Sequence, residues 1–105
     1  MRHGLGVKCT SMTRRAAELD WEDIRFFAAL ARHHTSAATA QSLGTTAPMV
    51  ERRLAHLERT LGYPLFARSG GGFRLNAAGA AAMAEAAQME MAACSLLQKR
   101  PIGVP

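Results

Sequence analysis

The chain holds two cysteines in 105 residues, Cys9 and Cys94, and they stand far apart. Two is too few for the disulfide framework of a small secreted domain, so the expected compartment is a reducing cytoplasm. Long apolar runs are missing as well. The stretch from Ala77 to Leu97 comes nearest, but it is mostly alanine and is interrupted by Glu85, Gln88, Glu90 and Ser95, so no membrane span is expected. The opening MRHGLGVKCTSMTRRAAELD contains no apolar core of signal-peptide length. Catalytic machinery is equally thin. No serine, cysteine or carboxylate pair stands in an acid–base or nucleophile arrangement, and His33 and His34, adjacent at a helix end, lack the spacing of a chelating pair. The expectation is a protein that is not an enzyme, with no metal and no cofactor.

What the chain does have is enough apolar material, 49% of its residues, for one packed domain without help from metal or disulfide. Acidic residues are outnumbered, 8 against 13 lysines and arginines, and the net charge of +5 is unevenly placed. Residues 1–18 carry +3, residues 45–75 carry +3, and the remainder is near balance. Basic charge concentrated in a tail and around one segment favours a polyanionic partner.

That segment is TTAPMVERRLAHLERTLG, from Thr45 to Gly62. Val50, Leu54, Leu57 and Leu61 fall on one helical stripe, Thr46 can cap, and Pro48 suits a first turn, where its missing N–H is no loss. The spacing predicts a helix from Ala47 to Leu61 with Met49, Arg52, His56 and Arg59 opposite the leucine stripe and Glu51 and Arg53 on its flanks. Upstream, DWEDIRFFAALAR reads as a helix capped by Asp20, with acids at its positive end and Trp21, Ile24, Phe27, Ala28 and Ala31 on one face. Phe26 and Leu30 point elsewhere and need a second cover. Between the two helices, Thr35 or Ser36 can cap a short helix ending at Leu43 before Gly44, which completes a helix-turn-helix. Downstream, Leu65, Phe66, Phe73 and Leu75 bracket Gly70 to Gly72 as a two-stranded wing. Asn76 caps a last helix running to about Lys99, along which Ala82, Ala86, Met89, Ala93 and Leu96 form a seam suited to a partner helix.

The expected fold is therefore mainly α: a basic arm over 1–18, a winged helix-turn-helix over 19–75, a long linker helix over 76–100 and a tail over 101–105. Met12 is a workable start, because no structure is expected before Asp20.

The segment from about Leu19 to Gln98 resembles the N-terminal DNA-binding domain and linker helix of LysR-type transcriptional regulators, which are bacterial. The resemblance is carried by LERTLGYPLFARSGGGFRLNAAG, which is similar to that family's Leu-Glu, Leu-Gly, Leu-Phe-x-Arg, Gly and Leu-Thr-x-Ala-Gly pattern, with Asn76 in place of threonine. Ala40, Leu43, Thr46, Pro48, Arg52, Leu57 and Glu58 also stand where the family has matching residues. The departures are Thr35-Ser36 for a usual Ser-Phe, Ala47 for a glutamine, Glu51 for a serine, and glycines in place of a basic wing tip. Family members normally continue into two effector-binding lobes, and no small-molecule effector site is expected up to Pro105.

The seam of the last helix and two-fold symmetry predict a dimer on an interrupted dyad, and the resemblance implies a regulator that reads double-stranded DNA through the major groove. Its candidate DNA-binding residues are Thr46, Pro48, Met49, Arg52, Arg53, His56, Arg68 and Arg74. Phe26, Leu30, Ala82, Ala86, Met89, Ala93 and Leu96 are the candidate dimerisation residues. The alternative is a dimerisation module that forms a heterodimer with a full-length relative and interferes with it without productive DNA binding; Glu51 and the bare wing keep that alternative open.

Overall fold

The computed structural model describes residues 18–99, so the expected tail, the start at Met12 and all of the expected arm but Glu18 lie outside the described residues. The order is α1 (Trp21–His33), α2 (Ser36–Leu43), α3 (Ala47–Leu61), β1 (Phe66–Ser69), β2 (Gly72–Leu75) and α4 (Ala77–Gln98). It is a mainly helical winged helix-turn-helix.

The helix ends follow from local chemistry. Asp20 accepts from the Glu22 N–H at 2.9 Å and opens α1. That bond, and the Arg53 guanidinium beside it, hold the Asp20 carboxyl below its ordinary value of 3.8. A lowered carboxyl stabilises the folded state above its ordinary value and loses that effect as pH falls through the folded one. Asp20→Ala should thus melt below the parent at neutral pH, and the gap in melting temperature, followed by circular dichroism, should close in strong acid.

Thr35 caps α2 by accepting from the Ala38 N–H at 3.1 Å, which leaves the Ser36 hydroxyl free for another partner. Gly44, at φ 72°, ends α2 in the left-handed conformation that a sharp turn into α3 requires. Thr46 caps α3, Pro48 lies in its first turn, and Val50, Leu54 and Leu57 are buried. The bounds expected for this helix are the ones found.

In the wing, Phe66 pairs with Leu75 and Arg68 with Phe73 in an antiparallel ladder. Gly70 and Gly71 both take positive φ, the turn whose twist matches two paired strands. The Phe66 ring meets Phe27 and Phe73 edge-on, each with centroids 5.6 Å apart. The Phe73 N–H donates to the carbonyl of His34 at 2.7 Å, which hangs the wing from the end of α1.

Leu65 organises the junction into α4. Its N–H donates to Glu58 Oε2 at 2.8 Å, and its carbonyl accepts from the Asn76 N–H at 3.0 Å. The Asn76 side chain caps α4 by accepting from the Gly79 N–H at 2.7 Å and donates its amide to the Pro64 carbonyl at 3.0 Å. From there α4 lies along α1, burying Ala86, and Arg32 of α1 makes a two-pronged ion pair with Glu90. The Glu90 carboxylate raises the Arg32 guanidinium's proton affinity.

Two expectations are corrected by this packing. Phe26 and Leu30 were expected to lack a cover, but they are 7% and 0% exposed inside the chain's own core, because α1 is the central helix against which α2, α3 and α4 all pack. Ala86, at 2%, is likewise covered by the chain itself. None of the three offers a surface to a partner. Trp21, expected on the buried face of α1, is 38% exposed.

Candidate nucleic-acid interface

Helix α3 presents its outer face through the first turns, where Thr46, Pro48 and Arg52 are exposed, with Ala55 and Arg59 further along. Among the described residues no carboxylate pairs with Arg52. A guanidinium without a counter-ion, on a helix whose opposite face is leucine, is free to meet an external acceptor.

The flanks of α3 are occupied. On one side the Arg53 Nη1 donates to Asp20 Oδ2 at 2.9 Å and to Asp23 Oδ1 at 3.1 Å, and the guanidinium carbon lies 5.8 Å from the Phe26 ring centroid. The hydrogen bond to Asp23, first among these contacts, raises the proton affinity of Arg53. The His56 ring presents Nδ1 to the other oxygen of Asp23. On the opposite flank Glu51 Oε2 accepts from the Ser36 hydroxyl at 2.8 Å. Met49, expected on the outer face, is half-buried against the core.

In the sequence Ser36 and Glu51 stand as separate departures from the family pattern. They are partners, and the carboxylate is drawn toward the start of α2. With Ala47, Arg68 and Phe73 they wall a cleft of about 360 Å³ between the starts of α2 and α3 and the wing.

Arg68 stacks on the Phe73 ring with its guanidinium carbon 4.6 Å from the centroid, on the wing face that meets this cleft. Arg74 pairs across from Ala67. Side chains alternate along a strand, so Arg74 projects from the other face of the wing. The two wing arginines therefore do not form one surface.

Asp23 was read as an acid at the positive end of α1. It does stand in that first turn, and its side chain is also 1% exposed and points inward. The signal was present in the sequence, because Asp23, Phe27 and Leu30 stand four and three apart on one stripe, and a carboxylate among core residues needs a cationic partner.

A small helix pair with a tight glycine turn, a second helix presenting an unpaired arginine, and a two-stranded wing define a winged helix-turn-helix DNA-binding domain. A family model of bacterial regulatory helix-turn-helix proteins, lysR family, matches residues 21–80, and the chain belongs to that family. It is 41% identical over 58 residues to the uncharacterized HTH-type transcriptional regulator YybE of Bacillus subtilis (strain 168), a stretch covering 55% of this chain and 20% of that protein. With the HTH-type transcriptional regulator TfdS of Cupriavidus pinatubonensis (strain JMP 134 / LMG 1197) it shares 37% identity over 71 residues, 68% of this chain and 24% of the relative. The chain thus spans about a fifth to a quarter of the length of these relatives. The DNA-binding domain of CbnR, solved in complex with DNA, superposes at a TM-score of 0.68 with 33% identity, covering 73% of this chain and 90% of that one.

Proposed function

We propose that the chain is a sequence-specific reader of double-stranded DNA that acts as a homodimer on an interrupted dyad, each half-site read by α3 in the major groove. The observation that carries this reading is the division of labour on α3: its flanks are engaged by the chain's own Asp20, Asp23 and Ser36, while Pro48 and Arg52 stand free at its start. The likeness to a domain solved on DNA supports it. Thr46 and Arg68 lie where phosphates of the same groove would pass, and Arg53 and His56 contribute through the placement of the helix more than by direct contact.

A bidentate arginine pairing with a base discriminates by about 1–3 kcal/mol. Arg52→Ala should therefore flatten the preference among sequences, whereas Arg68→Ala should weaken all sequences alike and reduce the salt slope by about one. Both are read by titrating genomic fragments at two salt concentrations. Affinity and preference both intact in Arg52→Ala would mean that α3 is not the reader. The second reading, a module that pairs with a full-length relative through α4, would then be the better account, and it draws on the exposed Met91, Leu96 and Leu97 of that helix.

A further inference from the structure

Asp23 is the one charged side chain among the buried polar residues described. Both of its oxygens are taken, one by Arg53 and one by His56, so successive turns of α3 are tied to a single point on α1. Arg53 continues outward to Asp20 at the start of the same helix. The other flank of α3 is held by Ser36 through Glu51. Arg52 lies in sequence between the two gripping residues and projects away from both.

A helix seated by leucines alone can roll, because apolar contact is non-directional. An ion pair with hydrogen-bond geometry resists that motion, because the Asp23 carboxylate is 1% exposed and a buried charge that loses its partners is costly. The geometry is demanding here. A roll of about 20° moves a group roughly 6 Å from the helix axis by about 2 Å, more than a hydrogen bond tolerates.

We propose that Asp23 is a positioning residue for DNA reading: by clamping Arg53 and His56 it fixes the roll of α3 on α1 and so places Arg52 for base contact. The role rests on the reading of α3 given above. It touches no DNA itself.

The test uses the full chain with Asp23→Asn, Asp23→Leu and Arg52→Ala, measuring affinity for the tightest duplex from a genomic selection and for a scrambled duplex of equal length and composition, together with thermal melting. Asp23→Asn keeps the shape and removes the charge; Asp23→Leu suits the apolar surroundings and folds by packing if the asparagine variant does not. Neither alters a side chain on the outer face of α3. The expected result is a fall of about tenfold in the ratio of specific to scrambled affinity, the size of one lost bidentate base contact, with scrambled affinity unchanged or raised. A merely structural role gives a different pattern: lower melting, with both affinities reduced by the same factor and the ratio preserved, and that outcome overturns the proposal. If Arg52→Ala also preserves the ratio, the reading of α3 itself has failed. If Arg52→Ala destroys the ratio while both Asp23 variants preserve it, the positioning role alone has failed.

Discussion

Gly79→Ala is expected to destabilise the domain more than any surface change, by about 3 kcal/mol or more, the upper end of what forced overpacking costs. A Cβ at Gly79 would lie 2.0 Å from the carbonyl oxygen of Leu65 and 3.0 Å from its carbonyl carbon. That oxygen is backbone, and it is held in place by the Asn76 N–H while the Leu65 N–H is held by Glu58. Relief would require lifting the first turn of α4 off the strand junction, breaking the Asn76 cap and uncovering Leu65, which is 0% exposed. For a domain of this size a loss of about 3 kcal/mol lowers the melting temperature by roughly 12 °C or more. Thermal melting by circular dichroism checks it. Ala80→Gly, one residue on at an exposed position, should cost only about 1 kcal/mol, the ordinary difference in helix propensity. Equal losses in the two variants would show that the close approach has no special consequence.

The second large effect concerns assembly. Lysine at both Leu96 and Leu97 is expected to give monomers and to lower affinity for a full dyad by about a hundredfold, the typical advantage of two linked sites over one. Leu96 and Leu97 are 74% and 86% exposed, and Met91 is 70% exposed. Leu96 and Leu97 are neighbours at the free end of α4, and large apolar side chains left this exposed support the proposed pairing there. Met89 is a poorer place for the test, because it lines an apolar groove with Phe27, Leu57 and Leu61, and a charge there would disturb the chain's own packing. Sedimentation at roughly tens of micromolar, where weak interfaces fill, should show a dimer for the parent and a monomer for the variant. Binding to an isolated half-site should be the same for both. A parent that sediments as a monomer, or a variant with undiminished dyad affinity, would remove the dimer.

The helix bounds were legible because their causes are local. Thr46, Pro48 and the leucine stripe of α3 lie within one segment, and Asn76 announces α4 by its place before an alanine run. Contacts across the fold were less legible. Nothing near Arg53 in the sequence points to Asp23, 30 residues away, so a flanking arginine read as free for DNA is in fact partnered. Phe26 and Leu30 were read as uncovered because a helical wheel shows one helix at a time, whereas α1 is enclosed by three. The wing's placement of Arg68 and Arg74 on opposite faces depends on strand register, which three glycines in a row leave open. Gly79 was visible as part of a family pattern, but its reason, a carbonyl at contact distance from another segment, exists only in three dimensions.

The bridge from Arg32 to Glu90 makes α4 a cantilever. Its root, from Asn76 to Glu90, is fixed to the body by the cap, by Ala86 and by this ion pair. Beyond it the helix continues to Gln98 with mostly exposed side chains, a free beam of roughly 12 Å at 1.5 Å per residue. A load applied at the tip turns about the root, and the root is seated on α1, the same helix that holds α3 through Asp23. Under the proposed function, a load on the beam would reach α3 as torque through α1. Stiffening or loosening the Arg32–Glu90 pivot would change how far that torque carries without altering any residue at the tip or on the outer face of α3.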